Sequence, residues 1–316
     1  MSKRGALATV LALSATLVAT LPASATHDPS LSSPKVLARL DLAGRQQAEN
    51  ITLEPDGSAD VTFANIRQVA RISPRGEIRV LATLPAPPEG SKTPAFTGEP
   101  FLGGIVRDHD GTLYFNYVTG TAELTGIWKL RPGGTPTRVV ALPPTGFANG
   151  LDLDGGYLYA ADSILGTIWR ASVHGGRAVA WSTAPELAMT SLAGVNGLAV
   201  HNGAVWTTNT DAGSVVRVPI RYDRSAGPAR VVASGLGLID DLEFTGNGDS
   251  VLVAGFAANE VVLVRPDGSH TVVLANTDGL LQNPTSLARR GDTVYVANAA
   301  YFTGVDPVVF TARLRR

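Results

Sequence analysis

A short apolar motif recurs six times along the chain at near-constant spacing, and this constrains the fold more than any other feature. It stands as Gly-Val-Asn-Gly-Leu-Ala-Val at 194–200 and as Ala-Asn-Gly-Leu-Asp-Leu at 148–153. Weaker copies are Ala-Glu-Asn-Ile-Thr-Leu at 48–53, Leu-Gly-Gly-Ile-Val at 102–106, Ile-Asp-Asp-Leu-Glu-Phe at 239–244 and Pro-Thr-Ser-Leu-Ala at 284–288. Two residues before each copy's Leu or Ile stand Glu49, Gly103, Asn149, Asn196, Asp240 and Thr285, at spacings of 54, 46, 47, 44 and 45 residues. A period of roughly 40–50 residues with only strand patterns inside it marks a propeller, one four-stranded sheet per repeat. The chain is expected to be all-β, a six-bladed β-propeller.

The interior of the repeats agrees. In the third, Leu151-Asp152-Leu153, Tyr157 to Ala161 and Thr167 to Arg170 read as strands, separated by turns at Gly155-Gly156 and Gly166. Glu54-Pro55-Asp56-Gly57 and Arg265-Pro266-Asp267-Gly268 give equivalent turns elsewhere, with Pro and Gly supplying the fixed and the positive φ. Thirteen residues after the register position lie Asn116, Asp162, Asn209 and Asn298, expected to cap turns. The sixth repeat runs out after one further strand near 308–314. The segment Lys35 to Leu40 supplies the missing strand and closes the ring, since an open blade leaves an unpaired edge. Two long connections, 85–101 and 181–195, are candidate lids over the channel mouth, the second with room for one helical turn.

Residues 1–25 read as a signal peptide. Lys3 and Arg4 precede an apolar run, and Ala23-Ser24-Ala25 gives a cleavage signal after Ala25. The mature protein is expected to be secreted, with a flexible segment at 26–34 and a single propeller domain over 35–316. Losing Lys3 and Arg4 takes the net charge from -1 to -3, so neither nucleic acid nor a membrane is an expected partner. The expected partner is a small molecule, and the expected state is a monomer. The chain has no cysteine, so stability must come from the core.

In a propeller the first strand of each blade lines the channel, so one register across six blades forms a ring at one depth. Here Glu49, Asn149, Asn196 and Asp240 converge on the axis, with Gly103 and Thr285 between them. Any one of them alone is ordinary turn chemistry. Four at one register point to a site, because such residues are poor strand formers and desolvated carboxylates are costly. Two carboxylates and two amide oxygens suit Ca²⁺, Mg²⁺ or Mn²⁺. The absence of Cys and of ring His disfavours tight Zn²⁺ binding, leaving Zn²⁺ as the last option. Asp240 is followed by Asp241, and either aspartate could face the channel. His109, His174, His201 and His270 fall in predicted turns, and no Gly-x-Ser-x-Gly nucleophile elbow is present.

Glu49, Asn149-Gly150-Leu151-Asp152, Tyr159-Ala160-Ala161-Asp162-Ser163, Asn196-Gly197-Leu198 and Asp240 together resemble the gluconolactonase/senescence-marker-protein (regucalcin-like) family of six-bladed propellers. The likeness spans essentially the whole mature chain. It implies Glu49, Asn149, Asn196 and Asp240 as ligands of a divalent metal, most simply Ca²⁺. It further implies hydrolysis of a sugar-type lactone or ester, with Asp240 as general base. The family's Arg-x-Asn-Asp-Gly stretch is missing, and the export signal resembles a secreted branch. That branch includes metal-free propellers that bind small molecules or guide cyclisations. A non-catalytic interaction platform is the third possibility.

Overall fold

The computed structural model describes residues 29–93, 98–246, 248–276 and 278–315. The expected signal peptide lies outside them. Six four-stranded antiparallel sheets follow one another around a ring. Their innermost strands are Ala48–Leu53, Phe101–Arg107, Ala148–Asp154, Val195–His201, Leu242–Phe244 and Pro284–Arg290. Each touches the next, and the first touches the sixth, so the ring is closed.

Closure is made by the N-terminus. The strand Ser30–Arg39 pairs antiparallel with the C-terminal strand Val308–Arg315 and forms the outer edge of blade six. It begins five residues earlier than Lys35, so residues 30–34, expected to be flexible, are in the sheet. Ser33-Pro34 reads as a breaker, but an edge strand absorbs it: the register shifts between Ser32 and Lys35, with Ser33 at φ 53°. The recovered end buries Leu31.

The repeated motif is a β-bulge at the start of an innermost strand. Ala148 pairs with Asp162 but Leu151 pairs with Ala160, and the same slip separates Val195 from Leu198. The reason is crowding at the axis. A Cβ on Gly150 would lie 2.3 Å from the Asn196 carbonyl oxygen, and one on Gly197 would lie 2.4 Å from Asp241 Cα. Only glycine lets neighbouring innermost strands approach this closely.

Six clusters of buried apolar side chains fill the six interfaces between blades. Blades one and six, for instance, share Val61, Phe63, Tyr295 and Val309. Trp128 and Trp206 lie in such interfaces, and Trp169 packs against one. Stability is thus spread around the ring, each blade buried by its neighbours. Three of the thirteen-residue positions act as caps. Asp162 accepts the Phe147 and Leu165 N–H groups at 2.8 and 3.1 Å and Trp169 Nε1 at 3.1 Å. Asn209 accepts the Ala212 N–H and Asn298 the Gln282 N–H, whereas Asn116 donates to the Asn149 and Gly150 carbonyls of the next blade. His270 opens a strand rather than a turn, and His201 ends one, stacked on Phe244 at 3.8 Å.

Candidate functional site

A cavity of about 380 Å³ occupies the end of the channel where the innermost strands begin. Glu49, Asn149, Asn196 and Asp240 all line it, while Gly103 and Thr285 do not. The Thr285 hydroxyl instead donates to the Ala48 carbonyl at 2.8 Å, joining blades six and one.

The adjacent aspartates separate by their partners. Asp241 points to the layer below. Its Oδ2 accepts Asn50 Nδ2 at 2.9 Å and Ser286 Oγ at 2.6 Å, and its Oδ1 accepts the Leu242 N–H at 2.8 Å. Burial raises its pKa to about 6 against these bonds. Asp240 is the one that faces the cavity. Its backbone is fixed by Ala254 and by the Thr208 hydroxyl, yet its carboxylate accepts no hydrogen bond among the described residues. Burial, then the charges of Glu49 and Asp241, hold its pKa well above the ordinary carboxylate range.

Glu49 is 3% exposed. Asn149 Nδ2 donates to its Oε1 at 3.1 Å and the Tyr301 hydroxyl to its Oε2 at 2.7 Å. Burial lifts its pKa to about 7, the two hydrogen bonds pulling the other way. Burial and the Glu49 charge push the Tyr301 phenol well above its usual value. Asn196 donates Nδ2 to Thr210 Oγ1 at 2.9 Å, and its Oδ1 is buried with no partner.

These residues fit an oxygen-liganded divalent cation. Two buried carboxylates share one space with no bonded Lys or Arg, and the Asn196 Oδ1 and the Asp240 carboxylate lack donors. No three of His, Asp and Glu converge among the described residues, so amide oxygens must complete any shell. Among the described residues no histidine lines the cavity.

The connection 181–195 carries the expected single turn, a 3-10 helix at Pro185–Leu187. It is a fixed wall rather than a lid. The Asp211 carboxylate accepts the backbone N–H groups of Thr190, Ser191, Leu192 and Ala193 at 2.7–3.1 Å, and Asn209 donates to the Glu186 and Ala188 carbonyls at 3.0 Å. Of the other connection, residues 94–97 lie outside the described set. Its Glu99 forms an ion pair with Arg45, and both line the cavity.

Three contributors were hidden in the sequence. Tyr301 follows Asn298 and reads as core packing or as a ring to stack on a ligand, but its hydroxyl reaches Glu49. Ser163 Oγ and Asn65 Oδ1 are buried without partners on the cavity wall. Ser163 sits inside the Ala-Asp-Ser motif, which was its only signal.

Neither a protein-family profile nor a curated protein sequence matches this chain. Solved structures do match in shape. An aldose sugar dehydrogenase from Streptomyces coelicolor, solved with PQQ bound, aligns with a TM-score of 0.67 at 14% identity, covering 91% of this chain and 99% of that one. A calcium-binding protein, regucalcin, from Agrobacterium tumefaciens aligns at 0.64 and 15%, covering 88% and 95%. A gluconolactonase from Xanthomonas campestris aligns at 0.63 and 12%, covering 91% and 97%. The chain therefore shares the propeller fold of regucalcin and gluconolactonase, a fold that also carries other chemistries.

Proposed function

We propose that this protein is an exported, monomeric hydrolase of a small lactone or ester, dependent on a divalent metal at the channel mouth. The observation that carries it is Asp240: a buried carboxylate with no hydrogen-bond donor, sharing a cavity with the unpartnered Asn196 Oδ1 and with Glu49. Glu49, Asn149, Asn196 and Asp240 would hold the ion, most simply Ca²⁺. When bound, it supplies Lewis-acid polarisation of an acyl carbonyl and opposes the high pKa values of both carboxylates.

Asp240 takes a proton from water as the water oxygen bonds to the acyl carbon. The acyl carbon–oxygen bond then breaks, and the leaving oxygen departs as an alcohol with the proton that Asp240 held. Tyr301 and Asn149 keep the Glu49 carboxylate oriented. The apolar wall around Phe256 limits competing water.

Asp240→Asn and Asn196→Ala are expected to abolish turnover of a lactone and ester panel with the fold retained by circular dichroism. Unchanged turnover places the chemistry elsewhere.

One observation favours a second reading, a metal-free small-molecule binder or cyclisation catalyst. Both Glu49 oxygens already have protein donors, so that part of the ring is complete without an ion. Metal analysis separates the two. A bound ion at a thousandfold its Kd stabilises by about 4 kcal/mol. Protein that carries no metal and gains no Tm with calcium sinks the hydrolase reading.

A further inference from the structure

The walls of the cavity above its polar floor are divided unevenly. The larger polar side chains on the blade-one side are already paired. Arg45 is bonded to Glu99, and Gln47 Nε2 donates to the Ala299 carbonyl at 3.1 Å. Apart from Asn65, Ser163 and Thr210, the rest of the wall is apolar, built mainly from Phe101, Phe147, Ile164, Leu192, Phe256 and Phe302. The rings form two pairs, Phe101 with Phe147 at 4.6 Å and Phe256 with Phe302 at 4.8 Å between centroids.

The apolar surface does not stop at the rim. Phe302 is 62% exposed, although it lines the cavity. Leu165 is exposed next to the lining residue Ile164, and Met189 is exposed in the loop that carries Leu192. Exposed aromatic and aliphatic side chains continuous with a cavity mark a surface used by a ligand.

From this we infer that the ligand is amphiphilic: a lactone or ester whose polar head meets the ring of Glu49, Asn149, Asn196 and Asp240, and whose alkyl or aryl tail lies along Phe256 and Phe302. The inference rests on this cavity being the binding site proposed above, and it replaces a sugar lactone as the substrate class. Each ring hydroxyl of a sugar lactone must find a partner or lose its water uncompensated, which weakens binding. Among the described residues Arg45, Gln47, Glu99 and Thr210 are already engaged by protein partners, and Ser163 Oγ and Asn65 Oδ1 are buried on the walls without one. That suits one polar substituent and not a polyhydroxylated ring. A tail gains about 0.8 kcal/mol for each methylene buried, about fourfold in affinity.

The test is isothermal titration of the full-length protein in calcium, using Asp240→Asn to prevent turnover. The ligands are γ-lactones with tails from none to octyl and a polyhydroxylated lactone of the same ring size. Affinity is expected to rise about fourfold per methylene until the cavity is filled, with the hydroxylated lactone weakest. Phe302→Ser, at an exposed position the fold tolerates, is expected to remove much of that gain for long tails and leave the tail-less lactone unchanged. Affinity independent of tail length, or tightest for the hydroxylated lactone, overturns the inference. Turnover by the unsubstituted protein is read separately. Tail-dependent binding without hydrolysis of any member upholds the ligand class and rejects the hydrolase. Hydrolysis with the hydroxylated lactone preferred does the reverse.

Discussion

Glu49 makes the metal-free protein less stable as pH rises, and Glu49→Gln should remove this loss. Its carboxyl ionises near 7 in the folded state against an ordinary 4.5, burial being the main cause. Below pH 4.5 both folded and unfolded chains hold the proton, and no penalty exists. Between pH 4.5 and 7 the unfolded chain releases it while the folded chain keeps it, so stability falls. Above pH 7 the loss is complete, at roughly 3 kcal/mol. At 3% exposure solvent does little to reduce that figure. Glutamine keeps the volume, and a turned Asn149 amide can still meet it. Asp240, whose pKa the Glu49 charge also raises, ionises more readily in the variant and adds in the same direction. The assay is urea unfolding followed by tryptophan fluorescence from pH 4.5 to 8.5, with chelator and with calcium. In chelator the variant should match the parent near pH 4.5 and exceed it by about 3 kcal/mol at pH 8. In calcium the order should invert, because the parent retains its full ligand set. Asp60 and Asp152, both near 6, and Glu243, near 8, add a falling background slope to both proteins, and Asp241, whose charge acts on Glu49, is eased in the variant in the same direction as Asp240. A variant no more stable than its parent in chelator at pH 8 refutes the reasoning.

Three further outcomes follow from the packing. Gly197→Ala puts a Cβ 2.4 Å from Asp241 Cα and 2.9 Å from the Asp240 carbonyl, and should cost about 3 kcal/mol in unfolding free energy. An unchanged urea midpoint would mean the innermost strands are not in close contact. Asp211→Ala removes the acceptor for four backbone N–H groups and should loosen residues 188–194 by about 2 kcal/mol. Limited proteolysis should then cut that loop while the global midpoint moves little, and equal resistance would count against the fixed-wall description. Deleting the chain through Arg39 leaves Val308–Arg315 as an unpaired edge and should give aggregation by light scattering; a monodisperse, cooperative product would show that closure is dispensable.

The propeller was legible because every blade repeats one physical demand, a buried apolar residue at an innermost strand start, with glycine beside it in blades two, three and four. The ring of Glu49, Asn149, Asn196 and Asp240 was legible for the same reason, since equal register means equal depth. What escaped depended on contacts between distant parts of the chain. The roles of Asp240 and Asp241 are decided by Asn50, 191 residues away, and Ser286, 45 residues away. No local pattern distinguishes two adjacent aspartates. Tyr301 lies in the turn between the second and third strands of blade six, and strand periodicity says nothing about a turn hydroxyl. The connection 181–195 looked like a lid by length, and only Asp211 and Asn209, folded back against it, show it to be a wall.

The Asn-Gly pair joins fold to site. Glycine is required where it stands because the next innermost strand passes within van der Waals distance of its α-carbon. The bulge that glycine permits sets the preceding residue at the channel mouth, and packing leaves that residue's identity open. Blade two has Gly103 there and blade six has Thr285, whose hydroxyl is used within the backbone. Four blades therefore carry polar groups to the cavity. The loop before blade two instead brings Glu99, and its innermost strand Phe101. The polar floor thus came from a position the fold leaves free. The apolar wall came largely from loops at the same end of the channel, Phe147 and Leu192 between blades and Ile164, Phe256 and Phe302 in turns within them, where the fold imposes least and a change of substrate class costs the scaffold little.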